Sequence, residues 1–172
     1  MQAEGDLERI SIPRTATWDF GVFYAEEHRR LFKALYFVCG NRADAADMMH
    51  DAFAKVWERW DRVDGMDDPT GYLFRTALNG WRMRGRAARR AAARIVLPSS
   101  TPDPYEEIEL REDVRVMLRS LAPRQRAALV LLDIYGYGSE EAARIMGIRP
   151  STVRALASQG RAVLRTRETR HE

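Results

Sequence analysis

Between residues 95 and 104 the chain reads Ile-Val-Leu-Pro-Ser-Ser-Thr-Pro-Asp-Pro. Three prolines in seven residues lock φ, remove backbone donors and push their predecessors into extended geometry. No helix continues through such a segment, and it reads as a fairly stiff linker. On both sides of it apolar residues recur at helical spacing, with no strand-period run and no internal repeat. The expected fold is all-α: two small helical domains joined by a Pro-rich linker. Residues 1–17 read as an N-terminal tail that need not be ordered, 18–94 as the first domain, 95–104 as the linker and 105–172 as the second domain.

Before the linker, Phe20, Phe23, Tyr24, Leu31, Leu35 and Val38 predict a helix over about 18–39, ended by Gly40-Asn41. Ala45, Met48, Met49, Ala52, Phe53, Val56, Trp57 and Trp60 predict a second helix over about 43–60 with all of these on its buried side. Asp44, Asp47 and Asp51 fall on its opposite face. A turn-rich stretch, 63–70, precedes a third helix with a narrow buried stripe of Leu73, Ala77 and Trp81. Gly80 and Gly85 inside it each cost roughly 1 kcal/mol relative to Ala, so the helix is expected to weaken or bend there unless a partner supports it. After the linker, helices are expected over about 105–121, 123–135, 139–146 and 150–165.

Residues 139–153 carry the sharpest local pattern. Ala142 and Ala143 are small enough for a second helix to cross closely. Gly147 suits the left-handed turn between two helices, and Ile148 and Val153 can plug the angle between them. Ser139 followed by Glu140 and Glu141 suits a helix start, and Ser151 or Thr152 can cap the next helix. This is the spacing of a DNA-binding helix-turn-helix. The following helix presents Arg154, Ser158, Gln159, Arg161 and Arg165; Arg can read guanine and Gln adenine, each by two hydrogen bonds.

Charge segregates along the chain. Residues 42–68 carry a net −4, residues 71–97 a net +7 with seven arginines and no acid, residues 103–113 a net −5 and residues 144–170 a net +6. There are 26 arginines and only two lysines, Lys33 and Lys55. Concentrated guanidinium charge suits phosphate and base edges, so each cationic block is expected to face nucleic acid.

Other classes are excluded on residues. No apolar run approaches the ~18–20 residues of a membrane span, and the first seventeen residues lack the apolar core of a secretory signal; a cytoplasmic location is expected. A lone Cys39 and three scattered His provide neither a disulfide scaffold nor a zinc site. Cys39 is expected to be packed. No phosphate-binding glycine loop, HExxH sequence or placed nucleophile–base pair is present, so no enzyme activity and no cofactor are expected.

Three blocks in order resemble the extracytoplasmic-function (ECF, group 4) bacterial RNA polymerase sigma factors. The stretch from Phe20 to Asp51 is similar to regions 2.1 and 2.2, Asp68-Pro-Thr-Gly-Tyr-Leu-Phe-Arg-Thr-Ala-Leu-Asn79 to regions 2.3 and 2.4, and 121–165 to region 4. The resemblance implies a region 2 bundle and a region 4 helix-turn-helix domain. It implies a promoter-specificity subunit that binds core RNA polymerase, recognises −35 and −10 elements and helps melt the latter. It assigns β′ clamp-helix binding to Asp47, His50 and Asp51. It assigns the −10 element to Arg75, Asn79, Arg82, Arg84 and Arg86, and the −35 element to Ser151, Thr152, Arg154, Ser158, Gln159 and Arg161. Melting unstacks a base at a cost of a few kcal/mol, which a base pocket and cations along the single strand offset. An anti-sigma protein is an implied partner; membrane insertion is not. Members of the family usually carry further basic residues at the positions of Leu156 and Gln159. The alternative is a helix-turn-helix regulator that binds duplex DNA without polymerase and needs no acidic second helix.

Overall fold

The computed structural model describes residues 19–90, 105, 108 and 110–168, with backbone alone for 83–90 and 168. The expected tail at 1–17 and linker at 95–104 lie outside the described residues. All regular structure among the described residues is helical: α1 (Phe20–Cys39), α2 (Arg42–Trp57), α3 (Trp60–Val63), α4 (Pro69–Arg90), α5 (Glu112–Leu118), α6 (Pro123–Leu129), a π-helical turn over Val130–Ile134, α7 (Ser139–Met146) and α8 (Pro150–Glu168).

Local chemistry explains most of these boundaries. The Asp19 carboxylate accepts from the Gly21 N–H at 3.2 Å and opens α1. Gly40, at φ 79°, ends it with its N–H on the Tyr36 carbonyl. Asn41 then caps α2 by accepting from the Asp44 N–H at 3.0 Å. In the Asp-Pro-Thr-Gly motif, the Asp68 carboxylate accepts from the Gly71 N–H at 2.8 Å and Pro69 occupies the first helical position. A Cβ on residue 71 would lie 1.9 Å from Asp68 Oδ2, so only glycine admits this cap.

Several expected boundaries move. The helix expected to run to Trp60 stops at Trp57; α3 then turns Trp60 back onto Phe20 and Phe23, at ring distances of 5.3 and 5.1 Å. The helix expected from 105 starts only at Glu112. Tyr105 and Ile108, both buried, form a turn instead, with the Ile108 N–H on the Tyr105 carbonyl. The helix expected to run to 135 opens into a π turn after Leu129, where the Tyr135 N–H bonds the Val130 carbonyl five residues back. Ser139, Ser151 and Thr152 lie inside their helices rather than at the caps, and Gly138 precedes α7. No interruption occurs in α4 at Gly80 or Gly85.

The two halves do not stand apart. One apolar core runs from Phe23, Leu31 and Phe32 through Phe74 to Leu131, Ala142 and Val153; full burial of each large side chain is worth about 1.5–3 kcal/mol. Around it, arginines cross between the halves. Arg126 donates to the Val38 carbonyl at 2.8 Å and Arg115 to the Gly40 carbonyl at 3.2 Å, both at the end of α1. The Tyr36 hydroxyl donates to Glu112 at 2.7 Å, and Glu112 is also paired with Arg115. The Arg30 guanidinium lies 5.5–5.7 Å from the rings of Phe74, Tyr135 and Tyr137. The Tyr135 hydroxyl donates to the Arg30 carbonyl at 2.8 Å.

Gly71→Ala is expected to lower stability by about 1 kcal/mol through loss of the Asp68 cap. Gly80→Ala, where an added Cβ meets nothing within 4 Å, is expected to raise it by about 0.5–1 kcal/mol. Urea titration of the two variants checks the opposite signs. The Arg115 guanidinium and the Tyr36 hydroxyl hold the Glu112 carboxyl down to about 2. A folded-state value below the ordinary carboxylate value stabilises at pH above that ordinary value and is lost as pH falls through the folded one. Between pH 5 and 2 the docking of α5 on α1 is therefore expected to weaken, and Glu112→Gln is expected to flatten that part of the stability–pH curve.

Candidate nucleic-acid interface and acidic ridge

The helix-turn-helix is built as its sequence dictates. Ala142 and Ala143 are buried in α7, Gly147 takes φ 63°, and Val153 is wholly buried in α8. Behind α8, a Cβ on Gly160 would meet Leu129 at 2.9 Å, so glycine brings α8 close to α6. With Val153, Ala157 and Gly160 facing inward, a turn of 100° per residue splits the predicted −35 residues between two flanks. Arg154, Ser158 and Arg161 are exposed on one; Gln159, also exposed, and half-buried Thr152 lie on the other, and Ser151 is exposed near the outermost line.

Three of these side chains are held by neighbouring elements. Arg154 Nη1 donates to Ser139 Oγ at 3.1 Å and lies 3.7 Å from Glu140 Oε1. Gln159 Oε1 accepts from Gln125 at 3.4 Å. Arg161 donates through Nε and Nη2 to the two oxygens of Asp133, at 3.0 and 2.5 Å. That carboxylate raises the Arg161 pKa and cancels its charge locally.

On α4, Arg75, Asn79 and Arg82 recur on one face. Arg75 and Asn79 are exposed. Half-buried Arg82 instead donates to the Met146 carbonyl at 3.0 Å, at the end of α7. Arg84 and Arg86 lie on the same helix, but their side chains are outside the described residues. Between α4 and the helix-turn-helix lies an open cleft of about 580 Å³, lined by Arg75, Arg144, Arg149 and a single carboxylate, Glu140. Two cationic regions that the sequence keeps apart thus meet across one cleft.

On α2, Asp47, His50 and Asp51 are all exposed along one ridge. This ridge is distinct from the α4–α7 contact.

Two family models match consecutive parts of this chain: Sigma-70 region 2 over residues 23–91 and Sigma-70, region 4 over residues 111–164. The chain belongs to the sigma-70 family. Its relatives place it in the extracytoplasmic-function group. It is 32% identical over 153 residues to the ECF RNA polymerase sigma factor SigE of Mycolicibacterium smegmatis, covering 83% of this chain and 58% of that one. It is 28% identical over 178 aligned positions to SigG of Mycobacterium tuberculosis, covering 86% and 48%. The RNA polymerase sigma-E factor of Streptomyces coelicolor is 29% identical over 125 residues, with 71% and 70% covered. The chain spans about half the length of SigE and SigG. Its fold is similar to that of the sigma factor RpoE of Bartonella quintana, solved with the anti-sigma factor NepR, with a TM-score of 0.67 at 24% identity over 86% of this chain and 95% of that one.

Trp57 does not join the core: it is 60% exposed. At its level along α2 the described neighbour is Phe20, whose ring meets the indole edge-on at 4.7 Å and leaves much of it to solvent. Helical period alone cannot show where the facing helix runs out. Trp81 is half-buried beside the α4–α7 contact. Cys39 is partly buried; its thiol donates to the Asn41 carbonyl at 3.3 Å, and burial pushes its pKa up to about 11. Tyr105, which no motif singled out, has its hydroxyl hydrogen-bonded to His50 Nε2. Among the described residues no helix is long and apolar enough to cross a membrane.

Removing the carboxylate beside Arg161 frees one cation. Asp133→Ala is therefore expected to raise non-specific duplex affinity and to steepen the slope of log K against log salt by about 0.9. Fluorescence anisotropy across a salt series measures both; an unchanged slope would show that Arg161 does not approach phosphate.

Proposed function

We propose that this chain is a promoter-specificity subunit that binds core RNA polymerase, recognises −35 and −10 elements and helps to melt the −10 region. One observation supports this reading above the alternative: an exposed acidic ridge on α2 accompanies a cationic α4 and a helix-turn-helix in a single fold. A regulator that binds duplex DNA alone has no use for the ridge.

In this reading, residues 18–94 and 105–172 are the two working units, with 95–104 between them. Asp47, His50 and Asp51 dock on the β′ clamp helices, and exposed Trp57 adds an apolar contact on the same helix. Arg75, Asn79, Arg82, Arg84 and Arg86 follow the −10 single strand, where guanidinium groups offset its charge and help to hold a base out of the stack. Ser151, Thr152, Arg154, Ser158, Gln159 and Arg161 meet the −35 duplex. Phosphate contacts set register, and base-edge contacts from Arg154 and Gln159 set sequence. No cofactor takes part. The site of action is the cytoplasm, and an anti-sigma protein is a partner.

In vitro transcription with purified core polymerase and a genomic fragment library tests the proposal directly. The expected result is initiation at a defined pair of elements only when both proteins are present. Asp47→Lys and Asp51→Lys are expected to impair co-purification with core polymerase. Arg84→Ala with Arg86→Ala is expected to weaken open-complex formation, read by permanganate reactivity, more than polymerase binding. Gln159 substitution is expected to change the selected −35 sequence at one position. Tight promoter binding by the chain alone, unaffected by core polymerase, would instead favour the regulator.

A further inference from the structure

Tyr105 stands where the connection between the halves re-enters the described fold. Its side chain is buried in a socket between α1 and α2. Its ring centroid lies 5.0 Å from that of Phe32 and 5.6 Å from that of His50. Its hydroxyl is hydrogen-bonded to His50 Nε2 and lies 3.4 Å from the Tyr24 hydroxyl. Its carbonyl accepts from the Arg42 guanidinium, which lies 5.4 Å over the Phe32 ring. The ring, the hydroxyl and the carbonyl of the tyrosine thus each meet a chemically matched group, and His50 forms the wall of the socket that adjoins the acidic ridge.

His50 therefore has two claimants. It belongs to the ridge assigned above to polymerase docking, and it is the group that Tyr105 holds. A protein surface that covers His50 touches the group to which the Tyr105 hydroxyl is bonded. Tyr105 is also the first of a row of attachments: Tyr36 to Glu112, Arg115 to the Gly40 carbonyl and Arg126 to the Val38 carbonyl follow it along the end of α1. These attachments hold the half of the molecule whose α7 covers Arg82 of α4.

We propose that Tyr105 is an autoinhibitory latch: seated against His50, it holds the second half on the first, and a polymerase surface that engages His50 and the α2 carboxylates unseats it and releases α4 from α7. The latch rests on the reading of the α2 ridge as the polymerase-docking surface. It makes the chain a poor ligand for single-stranded −10 DNA until polymerase has bound. The latched population lowers the apparent affinity for polymerase by the fraction of chain that is open.

The test uses the full chain with Tyr105→Ala and Tyr105→Phe, neither of which alters a residue assigned to polymerase or DNA. Affinity for purified core polymerase is measured beside amide hydrogen exchange of α4 and α7 in the free chain. Tyr105→Ala is expected to bind core polymerase about tenfold more tightly and to exchange about tenfold faster at the α4–α7 contact. Tyr105→Phe keeps the ring and loses the bond to His50; it is expected to bind about threefold more tightly. If Tyr105→Ala does not fold, the phenylalanine variant decides alone. Wild-type binding of core polymerase with no gain in the folded variants overturns the latch and leaves the docking surface standing. No binding of core polymerase by wild type or variants overturns the docking surface and the latch with it.

Discussion

Arginine side chains that reach carbonyl groups at the ends of helices join the two halves of this molecule. The last carbonyls of a helix have no partner within it and carry the negative end of its dipole. A guanidinium is planar, weakly hydrated and supplies five donors, so it can serve such an end while remaining partly buried. Arg126 and Arg115 do this at the end of α1, and Arg82 does it at the end of α7. Burial pulls the Arg126 pKa below the ordinary arginine value, and its bonds to the Val38 and Leu121 carbonyls compensate part of that cost. The Arg30 guanidinium among three aromatic rings closes the same interface from another side.

This division of labour changes the meaning of the charge pattern. The blocks of +7 and +6 count every arginine alike. In the fold, Arg82 serves a helix end and Arg161 is matched by Asp133, whereas Arg75, Arg144 and Arg149 line the cleft between α4 and the helix-turn-helix. Among the described side chains, Arg75 of the first block and Arg144 and Arg149 of the second meet where α4 and α7 approach. In the proposed reading, two promoter-binding surfaces share one cleft in the free chain, and separating them is the step that precedes use of both. Packing of α7 on α4 is then a constraint on function as well as a source of stability.

Legibility followed the range of the interactions involved. Gly40 and Gly147 were readable because a left-handed backbone is a property of the residue itself. The buried faces of α1, α2 and α7 were readable because period 3.6 is written along the chain. Trp57 was misplaced because its burial depends on how far α1 extends opposite it. The start of α5 was misplaced because Tyr105 and Ile108 form a buried turn instead of a helix, with Tyr105 seated against α1 and α2. The π turn after Leu129 was invisible for a related reason: the added residue accompanies a Tyr135 that reaches α1, seen only when both halves are present.

By itself, then, the amino-acid sequence determined that this protein is helical, that it carries a helix-turn-helix, that its acids and arginines lie in alternating blocks, and that it resembles the sigma family. All of these follow from neighbours a few residues apart, or from motifs in order. Only the tertiary structure decided which arginines face solvent and which hold helices together, that the two halves share one core, and that Tyr105 meets His50. Those outcomes depend on groups 55 to 105 positions apart in the chain, such as His50 with Tyr105 and Arg30 with Tyr135. No local periodicity encodes such pairs; they arise when buried polar groups must find partners across a common interface.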